Sequence, residues 1–242
     1  MKLESISPSS LNRFYNCPLN WYFHHIGKRG VAVEEKARML GKAIHNIIAI
    51  YYQKISDRPT PDEIDLKIKE AFEEGDTFAL KGFKAKTQRM LENFANFEKK
   101  RLRTWKAYKP TFVEKRFEVQ LWQDVPPIRV VVDFYGREDE TLIDWKTGIN
   151  DISESNLRQG KIYELVLKRL GYPVRRVIFF GLDRGTNLTV PRVTEGWIYK
   201  LVRFMVDSVE NENFRPKPGP LCEYCEYKLD CQLREECLWR TL

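Results

Sequence analysis

The chain has 242 residues, of which 43% are hydrophobic and 31% are charged, an ordinary composition for a globular protein that is long enough for one α/β domain with an appended subdomain. No stretch approaches the about 18 continuous apolar residues of a membrane span, and the opening residues lack the apolar core of a secretory signal, so we expect a cytoplasmic protein that contacts no membrane. The net charge of +7 suits a polyanionic partner without requiring one.

Helical patterns dominate the first 110 residues. The opening segment, 7–23, is rich in aromatic residues, and its serines can cap a short helix. Apolar residues recur at steps of three and four across 34–55, which predicts an amphipathic helix. Residues 62–107 predict two or three further helices that are heavily charged.

Strand patterns begin near residue 110. Short runs rich in β-branched and aromatic residues predict strands over 112–122, 128–136 and 141–147. A helix ending at Gly171, a strand over 174–183 and a helix over 194–214 follow. Strands and helices in this order predict an α/β core flanked by helices.

Two acidic residues face each other if the second and third strands form a hairpin. A symmetric pairing sets Asp133 opposite Asp144, with Cβ atoms roughly 4.5–5.5 Å apart. Like charges at that distance repel, and a divalent cation would offset the repulsion because carboxylate oxygens are ligands that Mg²⁺ and Mn²⁺ prefer. Lys146 shares this face, where it can orient a water or offset charge on a phosphate. The alternative is a solvent-facing hairpin with a cross-strand salt bridge.

Two further pairs lie on predicted helices. Gly41 and His45 are four residues apart on one helix side, where Gly41 permits close backbone approach. Gln159 and Tyr163 share a helical face soon after the third strand. A buried core histidine and an ordinary surface pair are the structural alternatives.

Taken in order, these motifs resemble those of the PD-(D/E)XK nuclease superfamily, and more narrowly of its RecB-like branch. The resemblance spans about residues 7–231, and the ordered set is more specific than any single motif. It implies a restriction-endonuclease-like core, in which a central mixed sheet is flanked by helices. It also implies a catalytic metal ion, Mg²⁺ or Mn²⁺, held by the side chains of His45, Asp133 and Asp144 and the carbonyl of Trp145. Lys146 would be the catalytic lysine, with Gln159 and Tyr163 supporting it and contacting DNA.

Cysteines lie at both ends of the chain. Cys17 is separated by 204 residues from Cys222, which begins a C-x2-C-x5-C run with Cys225 and Cys231. This layout predicts a cluster that joins the two termini, and an intracellular setting favours metal binding over disulfides. The resemblance extends to relatives with a four-cysteine iron–sulfur cluster, such as the AddB nuclease domain and the CRISPR-associated RecB-like exonucleases. It therefore implies a [4Fe-4S] cluster on these four cysteines.

Cys237 offers an alternative, because it repeats the x5 spacing after Cys231. A purely local zinc site would then use Cys222, Cys225, Cys231 and Cys237 and would leave Cys17 as a buried thiol.

Segment 99–109 holds six basic residues with interleaved aromatic rings. Basic groups can neutralise phosphates while rings stack on unpaired bases, so we expect Arg103, Trp105 and Lys106 to contact DNA. A solvated helix face is the structural alternative.

These patterns predict a single domain over 1–242. It would contain a helical insert at 46–110, a nuclease core at 111–210 and an iron–sulfur clasp of 1–30 with 211–242. The expected activity is metal-dependent hydrolysis of single-stranded DNA or DNA ends with little sequence preference, as an exonuclease, with endonuclease activity left open. Partners in recombination, replication or CRISPR adaptation fit such a protein. A catalytically idle DNA-binding adaptor and a zinc-ribbon interaction protein are the alternatives.

Overall fold

The computed structural model describes residues 1–27, 35–75 and 78–231, and for 35–37, 78 and 79 the backbone only. The helices in this part of the chain are α1 (Pro8–Asn16), α2 (Pro18–His25), α3 (Glu35–Gln53), α4 (Pro61–Glu74), α5 (Lys84–Thr104), α6 (Glu154–Arg169) and α7 (Glu195–Glu210). The strands are β1 (Phe112–Val119), β2 (Ile128–Gly136), β3 (Thr141–Lys146), β4 (Arg176–Gly181) and β5 (Thr186–Thr189). Short 3₁₀ helices cover Phe78–Phe83 and Pro220–Cys222.

The chain divides into two compact units. The terminal unit comprises Met1–Val33, Glu118–Arg129 and Val193–Leu242, and the central unit comprises Glu34–Phe117 and Val130–Arg192. The predicted helical insert, 46–110, therefore shares a unit with most of the sheet. The described parts of the predicted clasp lie in the terminal unit, whereas residues 28–30 and 232–242 of that prediction lie outside the described residues.

The five strands form one mixed sheet in the order β1-β2-β3-β4-β5. β2 and β3 pair antiparallel, β3 and β4 pair parallel, and β4 and β5 pair antiparallel. The parallel pair requires a crossover, which α6 supplies. The expected α/β class with a mixed sheet is confirmed. β5 was not predicted, because the run Thr186–Thr189 is short and polar.

One face of the sheet in the central unit packs on α3 and α5, and α4 packs against these two helices. The hydrophobic core there includes Phe134, Ile143 and Trp145 from the sheet, together with Ile44 and Tyr51 from α3. α6 lies on the opposite face, where its side chains meet those of Asp144 and Lys146.

Local sequence explains the limits of α6. Ser153 caps its first turn and accepts from the backbone N–H of Asn156. At the other end Gly171 has a φ of +81°, and Tyr172 N–H donates to Leu167 O at 2.9 Å. A residue in the left-handed region followed by this bond closes the last turn of a helix, and glycine adopts that conformation without strain.

The terminal unit joins the two ends of the chain. Trp21 of α2 stacks on Phe214 with ring centroids 5.8 Å apart, and Tyr15 OH donates to Leu201 O of α7. Ile6 also forms a parallel bridge to Ile128 at the start of β2. N-terminal and C-terminal segments are therefore neighbours within this unit.

Candidate active site

The β2–β3 hairpin brings the predicted acid pair together. Phe134 pairs with Ile143, and continuing this register places Asp133 opposite Asp144, as predicted. Both side chains are buried, and Asp133 Oδ2 accepts a hydrogen bond of 2.9 Å from Trp145 N–H. Two neighbouring buried carboxylates form a site that attracts cations.

His45 reaches this pair from α3. Its Nε2 donates to Trp145 O at 2.9 Å, and its Nδ1 lies 3.6 Å from Asp133 Oδ2. Gly41 lies one turn earlier on α3. A Cβ at Gly41 would lie 3.7 Å from Thr147 Cγ2, an ordinary contact distance, so the structure does not require the close backbone approach that we expected.

Glu114 completes the cluster and was not predicted. Its Oε1 lies 2.9 Å from His45 Nδ1. One ligand atom from each of His45, Glu114 and Asp133 lies within 4.8 Å of the others. The sequence offers a weak signal, because Glu114 lies on the strand beside β2. Its φ of +46° is a left-handed conformation that side chains rarely adopt, and such strain clusters at functional sites.

The electrostatics of the site favour bound positive charge. Burial, reinforced by the charge of Asp144, raises the pKa of Asp133 well above its usual range. Burial opposes the protonation of His45, but Asp133, Glu114 and Asp144 outweigh it and raise the pKa of His45 to about 9. Without a metal ion, the site therefore holds protons at neutral pH to offset its carboxylates.

Lys146, Gln159 and Tyr163 form a network around Asp144. Lys146 Nζ lies 2.7 Å from Asp144 Oδ2 and donates to Gln159 Oε1 at 3.0 Å. Gln159 Nε2 and Tyr163 OH both donate to Asp144 Oδ1, at 2.9 and 3.1 Å. The side chains of α6 thus fix the orientation of the Asp144 carboxylate. His45 of α3 approaches the site from the other side.

The residues present fit a divalent cation. Carboxylate oxygens and an imidazole converge, and two of the carboxylates lie on neighbouring strands. Asp144 Oδ2 is buried and accepts no hydrogen bond of normal geometry, although Lys146 Nζ is close. A buried carboxylate oxygen with an unused lone pair is suited to ligate a metal ion.

Segment 99–109 is only partly available to a ligand. Arg103 and Lys106 are exposed. The ring of Trp105 packs on Phe97 and Phe134 with centroids 6.4 and 6.2 Å away, which gives it a structural role. One of the six basic residues, Arg101, cannot neutralise a phosphate as expected. Its side chain is buried in an ion pair with Glu98. Contacts of Arg103, Trp105 and Lys106 with DNA stay predictions.

The cysteines of the two ends lie in adjoining segments. Asn20 Nδ2 donates to Cys225 Sγ at 3.5 Å, and Lys217 N–H donates to Cys17 Sγ at 3.4 Å. The four cysteines in the described residues, Cys17, Cys222, Cys225 and Cys231, are half-buried thiols without disulfides. No three of these sulfurs all lie within 4.8 Å of one another. Cys237 lies outside the described residues.

The fold and the site together define a class. A mixed sheet with helices on both faces and an acid pair with a lysine on adjacent strands is a restriction-endonuclease-like core. The chain belongs to the PD-(D/E)XK nuclease superfamily, whose family model matches residues 5–232. Nucleases of this superfamily act on DNA with divalent metal ions.

A solved structure shares this fold. The crystal structure of a "Putative exonuclease" from Eubacterium rectale has a TM-score of 0.54 and 12% identity, covering 93% of this chain and 88% of that one. The crystal structure of SSO0001 has a TM-score of 0.44 and 13% identity, covering 97% and 89%, which is too distant to support an argument. No curated protein matches the sequence. None of the described helices is long and apolar enough to cross a membrane.

Proposed function

We propose that this protein is a Mg²⁺- or Mn²⁺-dependent deoxyribonuclease that hydrolyses single-stranded DNA or DNA ends with little sequence preference. We further propose that it acts as an exonuclease, with endonuclease activity possible on the same chemistry. The observation that carries the proposal is the convergence of His45, Glu114 and Asp133 beside Asp144 and Lys146. A site of this kind stabilises phosphate charge and reads no base edges, which explains the low sequence preference.

Each residue has a separate task in the proposed reaction. Asp133, Asp144, His45 and Glu114 would hold the cation, with the Trp145 carbonyl as a further ligand. A divalent cation supplies Lewis acidity to the phosphodiester and to the attacking water. Each ligand must give up its proton before it binds, which ties activity to pH.

Lys146 and its neighbours handle charge on the phosphate. Lys146 Nζ is held by Asp144 and Gln159 beside the acid pair, so it can offset the negative charge that develops on phosphoryl oxygens. Gln159 and Tyr163 hold Asp144 Oδ1, which leaves Oδ2 for the cation and the lysine. In this proposal Gln159 and Tyr163 would also contact the DNA strand.

We also propose a structural [4Fe-4S] cluster on Cys17, Cys222, Cys225 and Cys231. N–H groups directed at two of these sulfurs support it, because such hydrogen bonds commonly surround cluster thiolates. Reduced thiols of this kind fit an intracellular setting.

The catalytic proposal is tested with Lys146→Met, which removes the charge and keeps the length of the side chain. Digestion of single-stranded DNA in Mn²⁺ should fall about a hundredfold to a thousandfold, while EDTA should stop the wild-type protein completely. Lys200→Met, at an exposed position of α7, is the matched control. Undiminished cutting by Lys146→Met would contradict the assignment. Wild-type protein that binds DNA without cutting it in Mn²⁺ would favour the idle adaptor.

The mode of cutting needs a second measurement. Substrates labelled at the 5′ or the 3′ end, incubated with Mn²⁺, report the direction of attack from the size of the first labelled product. Circular single-stranded DNA should stay intact if the activity is exonucleolytic. Rapid linearisation of the circle would assign endonuclease action instead.

A further inference from the structure

Four aromatic rings cluster at the sheet outside the main core of the central unit. This aromatic platform consists of Phe112, Phe117, Tyr135 and Tyr172. The ring of Phe112 stacks on Tyr135 with centroids 5.1 Å apart and planes at 26°. The rings of Phe117 and Tyr172 meet Phe112 edge-on, at 5.2 and 5.4 Å. None of the four belongs to the core beneath α3–α5.

The platform lies on the active-site face of the sheet. Tyr135 is two residues after Asp133 on β2, and side chains two apart on a strand share a face. At the usual strand rise these two positions are about 7 Å apart. The platform therefore begins next to the acid pair.

One irregular residue in β1, Glu114, positions side chains of both the platform and the metal-ligand cluster. Residues five apart on a regular strand point to opposite faces, yet the rings of Phe112 and Phe117 are in contact. The left-handed residue between them, Glu114, breaks the alternation as a bulge does. Its own side chain turns to His45. One strained residue thus places an acid in the site and two rings beside it.

Positive charge accompanies the rings. Lys115 Nζ lies 5.4 Å from the centroids of both Phe112 and Phe117, and Arg137 Cζ lies 5.9 Å from that of Tyr172. Lys115 and Arg137 are exposed, and Phe112, Phe117 and Tyr172 are half-buried. Tyr135 is fully buried, so its ring supports Phe112 from beneath and is closed to a ligand. Local packing alone would not need exposed cations over ring faces. Rings with adjacent cations are the features by which proteins bind single strands without reading sequence.

We propose that the accessible rings of the aromatic platform stack the unpaired bases of a single-stranded DNA substrate while Lys115 and Arg137 neutralise its phosphates. These rings are Phe112, Phe117 and Tyr172. This inference rests on the proposed nuclease function and specifies its substrate. Paired bases in a duplex have no free face to offer, so the platform selects single strands and frayed ends. Every base has a π-face, so the selection is independent of sequence.

Equilibrium binding in EDTA tests the platform without cleavage. Tyr172→Leu keeps an apolar side chain but removes the ring, and it should weaken binding of an oligothymidylate about tenfold. An abasic oligonucleotide of the same length should bind equally to wild type and variant, because it has no bases to stack. Tyr172→Phe should bind both as wild type does. Phe204→Leu, which removes an exposed ring of α7, is the matched control.

Hydrolysis of a small chromogenic phosphodiester separates this proposal from the nuclease proposal. Tyr172→Leu should hydrolyse it in Mn²⁺ at the wild-type rate, because that substrate has no bases. If the wild-type protein digests neither this substrate nor single-stranded DNA in Mn²⁺, the nuclease proposal fails, while the binding result still decides on the platform.

Photocrosslinking supplies a measurement that needs no variant. Oligonucleotides carrying 5-iodouracil should crosslink to Phe112, Phe117 or Tyr172 of the wild-type protein. The platform proposal would be overturned if Tyr172→Leu bound the oligothymidylate as tightly as wild type does. It would also be overturned if the variant lost as much affinity for the abasic strand as for the oligothymidylate. Crosslinks confined to other residues would overturn it as well.

Discussion

At the scale of single residues, Glu114 combines an unusual backbone with an unusual contact. Its φ of +46° costs on the order of 1 kcal/mol or more relative to a regular strand residue. In return its carboxylate reaches His45 Nδ1 at 2.9 Å and joins the acid cluster. A position that retains both strain and negative charge is best explained by a bound cation.

Glu114→Gln should therefore weaken Mn²⁺ binding about 10- to 100-fold, the usual loss when a residue that ligates or orients a ligand is changed. Isothermal titration of the metal-free protein measures this directly. Glu118→Gln on the same strand is the control, because Glu118 pairs with exposed Arg129 and is no part of the acid cluster in the described residues. Equal affinities for the two variants would remove Glu114 from the site.

His45 predicts how metal binding depends on pH. Its pKa of about 9 in the metal-free site means that the imidazole is protonated at pH 7, whereas a metal ligand must be neutral. Because the pKa of Asp133 is raised as well, Mn²⁺ should displace about one to two protons at pH 7, and affinity should rise about tenfold or more per pH unit until both groups have titrated. Calorimetric titrations with Mn²⁺ in buffers of different ionisation enthalpy measure the number of protons released. A pH-independent affinity between 7 and 9 would contradict the raised pKa.

At the scale of elements, the sequence predicts the site best where periodicity is regular. Alternation along β2 and β3 with a symmetric turn fixes the register that sets Asp133 opposite Asp144. The helical period likewise places Gln159 and Tyr163 together on α6. Glu114 escapes prediction because a left-handed residue interrupts the alternation of β1. Contacts across elements, such as the packing of Trp105 on Phe134, depend on tertiary structure that no local pattern encodes.

The packing of α6 gives a prediction for this element. A Cβ at Gly160 would lie 2.9 Å from Val190 Cγ1, closer than real contacts allow. Gly160→Ala should thus displace α6 and reduce the free energy of unfolding by about 1–3 kcal/mol, which lowers the Tm by several degrees. Calorimetry measures the change.

Gly196→Ala in α7 is its control, because no atom lies within 4 Å of the added methyl group. This change should leave the Tm unchanged or raise it slightly, since alanine favours helices. Because Gln159 adjoins Gly160, the Gly160→Ala variant should also lose nuclease activity. Full activity with unchanged stability would show that the helix has room to adjust.

At the scale of the whole molecule, the cysteine pattern predicts which segments meet. Cys17 and the C-terminal run lie about 200 residues apart in sequence, yet Asn20 contacts Cys225 and Lys217 contacts Cys17. The ion pair of Arg13 with Glu226 adds a contact that no spacing rule could predict. Within the terminal unit, the stretch Glu118–Arg129 has no counterpart in the predicted clasp of 1–30 with 211–242.

The identity of the fourth thiolate decides how the ends are joined. If Cys17 ligates the cluster, Cys17→Ala should lose the brown colour and most of its iron, because three thiolates hold a four-iron cluster poorly. The Tm should then fall by about 10 °C, as metal-linked folding free energy is lost from both ends of the chain. Cys237→Ala should keep iron, colour and Tm, so the two variants are matched controls for each other. The reverse pattern, with full iron in Cys17→Ala, would make the metal site local to the C-terminal segment and leave only side-chain contacts to hold the N-terminus there.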